Sequence, residues 1–133
     1  MNKIIAYAIF SLLMFTCGLT FAGWKELVSD QVATEYVNLD SVERSNYLVK
    51  MWNMSDYVTP QEVGNGRLYK SSKTLQEYNC LEKKKRFMRI VHFSENMGLG
   101  QAIFVDATLG EWKPIKTGSL SEAHYKIACP ISK

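Results

Sequence analysis

From Trp24 onward the chain alternates short β-prone runs with turn chemistry, and only its last stretch follows a helical period. Trp24 to Val28 reads as a strand closed by Ser29-Asp30, and Thr34 to Leu39 as a second closed by Asp40-Ser41. Tyr47 to Val58 is the longest run. Its Leu48, Trp52, Met54 and Val58 share one face and Tyr47, Val49 and Met51 the other, so burial on both sides is expected over its first half, with Trp52 in the core. Pro60 and Gly64-Asn65-Gly66 read as the next loop. Leu68 to Leu81 is long and polar, which predicts a strand with much solvent exposure. Arg86 to Phe93 follows, with Phe87, Val91 and Phe93 on one face; then come Gln101 to Ala107 and a short run from Trp112 to Ile115. This pattern predicts an antiparallel β-meander of about six strands.

The period changes at the end. Ser119-x-x-Glu122 is a capping box, in which the serine hydroxyl accepts from the third helical amide and the glutamate reaches back to the serine amide. Leu120, Ala123, His124, Ile127 and Ala128 then form a helical stripe, and Pro130 stops it. One short helix over 120–129 makes the class α+β. A helix of this length is marginal alone in water and needs a sheet to pack on. Linkers, internal repeats and low-complexity stretches are absent, so 23–133 reads as one domain.

Residues 1–22 have the three parts of a secretory signal peptide: Lys3, an apolar stretch from Ile4 to Phe15, and the small-x-small site Thr20-Phe21-Ala22. Cys17 raises a lipoprotein alternative, but Met14-Phe15-Thr16 is bulky where a lipobox has Leu and small residues. The expected product is periplasmic or secreted, without an integral membrane segment after cleavage; display at the cell surface is left open. Cleavage leaves Cys80 and Cys129, an even pair in an oxidising compartment, for which a disulfide is the default. Closing a loop of about 50 residues is worth roughly 4 kcal/mol in the chain-entropy model.

Catalytic chemistry finds little purchase. His92 and His124 are the only histidines, no Gly-x-Ser-x-Gly occurs, and no free cysteine is left after cleavage. A small hydrolase using either histidine as base is the weakest reading, and no enzymatic activity is expected. No Cys-x-x-Cys or His-x-x-x-His supplies metal spacing, so no metal or cofactor is expected. Gly98-Leu99-Gly100 precedes a strand where a phosphate loop needs a helix, and reads as a hairpin turn. The formal charge of +3 gives no strongly basic face for nucleic acid.

The strongest charge feature is Lys83-Lys84-Lys85-Arg86, with Lys70, Lys73 and Arg89 near it in sequence. Four consecutive cations cannot all be buried by a two-periodic strand, so at least the central pair is expected to face water. One reading is a solvated hairpin tip that also discourages edge pairing. The other is a contact surface for an acidic protein segment, sulfated glycan or anionic lipid. Trp24 and Trp112 fall where chain ends leave them half exposed.

The order of several short motifs carries a resemblance. Trp24 follows the leader, then come Tyr36 with Asp40-Ser41-Val42, an apolar strand with Trp52, Tyr69-x-Ser71-Ser72-Lys73 and Glu77-Tyr78-Asn79-Cys80. Arg86, Met97-Gly98-x-Gly100, Trp112-x-Pro114-Ile115, Gly118-Ser119 and the closing helix with Cys129 complete the series. In this order the chain resembles the surface-adhesin protein E family of Gram-negative bacteria over essentially all of 23–133. The resemblance implies a small antiparallel β domain with a C-terminal helix, a Cys80–Cys129 bridge, and adhesion to host matrix proteins. The resulting expectation is a non-enzymatic secreted or periplasmic binding module for a host matrix or envelope protein, contacting it through the exposed sheet face and the basic turn. A homodimer is left open. The alternative is a periplasmic inhibitor or immunity-type protein that blocks an enzyme or toxin.

Overall fold

A computed structural model describes residues 23–131. The leader, with its cleavage site and Cys17, lies outside the described residues. Eight strands and one helix follow in the order β1 (Trp24–Ser29), β2 (Ala33–Asn38), β3 (Glu43–Ser45), β4 (Leu48–Val63), β5 (Arg67–Asn79), β6 (Lys84–Phe93), β7 (Ala102–Asp106), β8 (Lys113–Pro114) and α1 (Leu120–Ala128). All pairings are antiparallel, and the main path β1-β2-β4-β5-β6-β7 is a meander in chain order.

The count is eight rather than about six because two short strands flank that path. β3 pairs with the start of β4 through a tight turn at Asn46, whose φ of 55° suits asparagine. β8 pairs with the start of β6. β3 is a three-residue polar run, exposed throughout, and shows no alternation for sequence reading to find.

Three further expectations are corrected. β4 runs through Pro60 to Val63, because the β4–β5 register shifts between Asp56 and Gln61, where a residue without an N–H interrupts no ladder bond. β5 is not solvent-exposed along its length: Ser71, Ser72, Gln76, Glu77, Tyr78 and Asn79 are buried between its neighbours. In β6, a bulge between Phe87 and Arg89 inserts Met88, so Phe87 pairs with Gln76 on the face opposite Val91 and Phe93.

α1 lies across one face of the sheet. Val37, Val49, Met51, Tyr78, Ile115 and Ala128 form the core beneath it, with Leu27, Val42, Tyr125, Ile127 and the two cysteines packed around them. Cys80 and Cys129 are bonded, with Cα atoms 5.5 Å apart, and the Tyr125 hydroxyl donates to the Cys80 carbonyl at 3.0 Å. Only half of the capping box forms. Ser119 Oγ accepts from the Glu122 amide at 3.3 Å, but the Ser119 amide turns to Lys116, and the Glu122 carboxylate pairs with Lys126 at 3.1 Å and Lys83 at 3.5 Å.

Candidate binding surfaces

The helix covers one sheet face and leaves the other open. On the open face Trp24 of β1, Asn38 of β2, Trp52 of β4, Lys73 of β5, and Val91 and Phe93 of β6 line a cleft of about 280 Å³. Trp52 is therefore not a core residue; it is half-buried here because even-numbered side chains of β4 point away from the helix. The Lys73 ammonium sits 5.5 Å from the Trp24 ring centre and 5.2 Å from that of Phe93, within cation–π range. Its partial burial lowers its pKa from the ordinary lysine value.

A loop secures this arrangement. Asp56 accepts from the Met97 amide at 2.6 Å and from the Asn96 side chain at 3.1 Å, while Ser71 Oγ accepts from the Gly98 amide at 2.8 Å and donates to the Glu95 carbonyl at 2.5 Å. Gly98 has φ of 68°, and a Cβ there would lie 2.1 Å from Lys73 Cε. The left-handed backbone favours glycine there, and a Cβ would displace the flexible end of Lys73.

The basic run divides into separate environments. Lys83 occupies the turn at φ of 53° and pairs with Glu122 of α1, and Lys84 pairs with Glu82 at 3.0 Å; both ammonium groups are well exposed. Lys85 points to the helix face, where its ammonium contacts Ser121 Oγ and lies 5.4 Å from the Phe87 ring centre. Burial, with the charge of Lys113, lowers its pKa. Arg86 points to the opposite face, binds Glu77 at 2.6 and 2.8 Å, and stacks 4.5 Å from the Trp112 ring centre. The central pair, Lys84 and Lys85, thus does not face water together, since alternation on β6 sends the two side chains to opposite faces.

His92 of β6 and His124 of α1 are both buried. His92 Nδ1 is 2.6 Å from Ser72 Oγ, and its ring is stacked with Tyr69 at 4.0 Å and Phe104 at 5.4 Å. Burial lowers its pKa. His124 is pushed down to about 4 by burial, with the charge of Lys85 adding to it. Among the described residues no group of three or more His, Cys, Asp or Glu is placed to hold a metal, and no helix is long and apolar enough to cross a membrane.

Sequence reasoning named the basic turn but missed the aromatic cleft, whose members come from five strands. Trp52 and Lys73 share a face only because the register shift between Asp56 and Gln61 changes the parity of the β4–β5 pairing, which spacing from the turn does not record.

Fold and surfaces together define a single-layer antiparallel sheet, backed by a disulfide-tied helix, with an aromatic and cationic face left open. The surface-adhesin protein E family matches residues 24–130, and the chain belongs to that family. Among solved structures it is similar to Haemophilus influenzae protein E. The selenomethionine form superposes with a TM-score of 0.64 at 16% identity, covering 80% of this chain and 85% of that one. Another structure of that protein gives 0.62 at 16% identity, covering 80% and 83%. Protein E from non-typeable Haemophilus influenzae gives 0.59 at 14%, covering 78% and 73%. At this identity the likeness is one of fold. No curated protein matches the chain significantly.

Proposed function

We propose that the protein is a non-enzymatic adhesin-type module, exported by the 1–22 leader to the periplasm or beyond, that binds an extracellular or envelope protein through the helix-free face of its sheet. The carrying observation is the cleft itself. Trp24, Trp52 and Phe93 stand half-buried around Lys73 on the face opposite the helix, bounded by the loop at Asn96–Gly98. Aromatic residues and arginine dominate binding energetics at protein interfaces, and this face adds the exposed Arg89. Membership of the surface-adhesin protein E family supports the same reading. Lys83 and Lys84, of the run Lys83 to Arg86, are placed to act as a charged rim that speeds encounter with an acidic partner.

Surface plasmon resonance against immobilised extracellular-matrix proteins tests this. Trp52→Ala should weaken binding about tenfold or more, equivalent to about 1.4 kcal/mol, chiefly through faster dissociation. Lys83→Ser with Lys84→Ser should slow association at low salt and change little at physiological salt. Equal binding by the Trp52 variant and the parent would remove the open face from the contact.

A further inference from the structure

Beneath the N-terminal half of α1 the other face of the sheet forms a second concavity, a groove of about 320 Å³. Its volume lies at the lower end for small-molecule sites, about 300–1,000 Å³. The floor is built from a polar alternation in the middle of the sheet. Ser72 and Thr74 of β5 stand directly opposite Ser55 and Asn53 of β4, and Glu35 of β2 stands opposite Ser55. A central strand under a helix is ordinarily apolar at such positions, so this polarity is at odds with a purely structural role.

The chemistry of the lining narrows the occupant. Lys85 is the one lysine or arginine in the wall, and its ammonium is already engaged with Ser121. Glu35 is the one carboxylate; Ser55 donates to it at 2.8 Å and burial raises its pKa, favouring the protonated form. Both histidines have pKa values lowered by burial and are held neutral. The groove therefore presents one ammonium and one carboxyl rather than a cluster of cations for a phosphate or sulfate, and is too polar for a lipid chain.

Two polar atoms in the wall, Asn53 Oδ1 on the floor and His124 Nε2 on the helix, are buried without a hydrogen-bond partner among the described residues. A hydroxyl both donates and accepts, and so suits a carbonyl oxygen and a neutral imidazole nitrogen alike. At the end away from the disulfide, Tyr57 and Tyr69 meet edge to face at 5.7 Å and 83°, giving an aromatic wall against which C–H groups can pack. An occupant rich in hydroxyls, uncharged, and carrying an apolar ring face is a sugar.

We propose that this groove is a carbohydrate site for a neutral sugar residue, whose hydroxyls are held by Glu35, Asn53, Thr74 and His124 and whose ring face packs on Tyr69. It is separate from the open aromatic face and does not depend on that face binding protein.

The test is a titration of the purified, oxidised protein, followed by amide and imidazole nitrogen–proton correlation spectra. The probes are methyl glycosides of neutral hexoses and N-acetylhexosamines, with inorganic phosphate and free amino acids as the other arms. A neutral glycoside should shift the Asn53 and His124 signals saturably. Thr74→Val, nearly isosteric, should weaken it about tenfold, as should Glu35→Gln, each with its melting curve checked against the parent. Trp52→Ala should leave glycoside binding unchanged, which separates this site from the protein-binding face. Saturable shifts from phosphate or amino acids with none from any glycoside would overturn the proposal. So would glycoside shifts that persist in both groove variants.

Discussion

Arg86 and Glu77 stand directly opposite each other on β6 and β5, and the guanidinium places two nitrogens on a single carboxylate oxygen, Nη2 at 2.6 Å and Nε at 2.8 Å. The Glu77 side chain is 6% exposed and the Arg86 side chain 23%. An ion pair this enclosed matters most when it is broken, because the surviving charge then lacks both water and partner. Arg86→Met should therefore cost about 3 kcal/mol, the bottom of the range for buried pairs because one partner keeps some solvent. Lys84→Ser, at an exposed pair, should fall within about ±0.5 kcal/mol. Urea unfolding of the two variants measures the contrast, and similar midpoints would contradict it. Replacing all four cations at once should destabilise the fold through Arg86, so Lys83 and Lys84 alone isolate the electrostatic role.

The disulfide makes a separable prediction. Cys80 and Cys129 are 49 residues apart in sequence and join the end of β5 to the end of α1. Cys129→Ser should cost roughly 2–5 kcal/mol. Hydrogen exchange should show the α1 amides losing protection before those of β4 and β5, since the helix is short and only His124 and Ala128 of it are buried. Uniform loss of protection across helix and sheet would show that the two unfold as one unit.

Acid should loosen the same helix. His124 is held at about 4 in the folded protein against an ordinary value of 6.5, so the unfolded chain binds the proton more readily between those limits. Its contribution is intact above about pH 6.5 and is lost as pH falls toward 4, a change of roughly 3 kcal/mol. Glu35, shifted upward from 4.5, takes up its proton more readily in the folded protein, so it gains stability as pH falls toward 4.5, within the same window, and offsets part of the loss. His124→Gln should flatten the dependence of urea midpoint on pH between 6.5 and 4. An unchanged slope would place the acid sensitivity elsewhere.

Gly98 links the loop after β6 to the open face. Gly98→Ala adds strain at a left-handed backbone position, about 1–2 kcal/mol, and drives a methyl group into Lys73. Lys73 should then leave its seat between Trp24 and Phe93, changing tryptophan emission and weakening partner binding together. A stability loss with unchanged emission and binding would confine the glycine to the loop.

Features that depend on neighbours in the chain were open to sequence reasoning. Turn residues at Ser29-Asp30 and Gly64-Asn65-Gly66 dictate consecutive antiparallel pairing, and the meander follows. Ser119 starts the helix because its hydroxyl meets an amide three residues away. The cysteine pairing followed from there being two. What lies on each face, and what is buried, was decided by tertiary structure. One inserted residue, Met88, reverses the side on which Phe87 falls, and no pattern within β6 records it. Gln76 and Glu77 look solvent-exposed in sequence yet are buried, because the Tyr78 hydroxyl two residues along the strand satisfies the one and Arg86 of β6 the other. A polar side chain enters a core only when its hydrogen bonds are met there, and at the centre of a sheet most of the partners come from other strands. Local chemistry thus determined the order of the elements, while the two binding surfaces exist only where four or more of those elements converge.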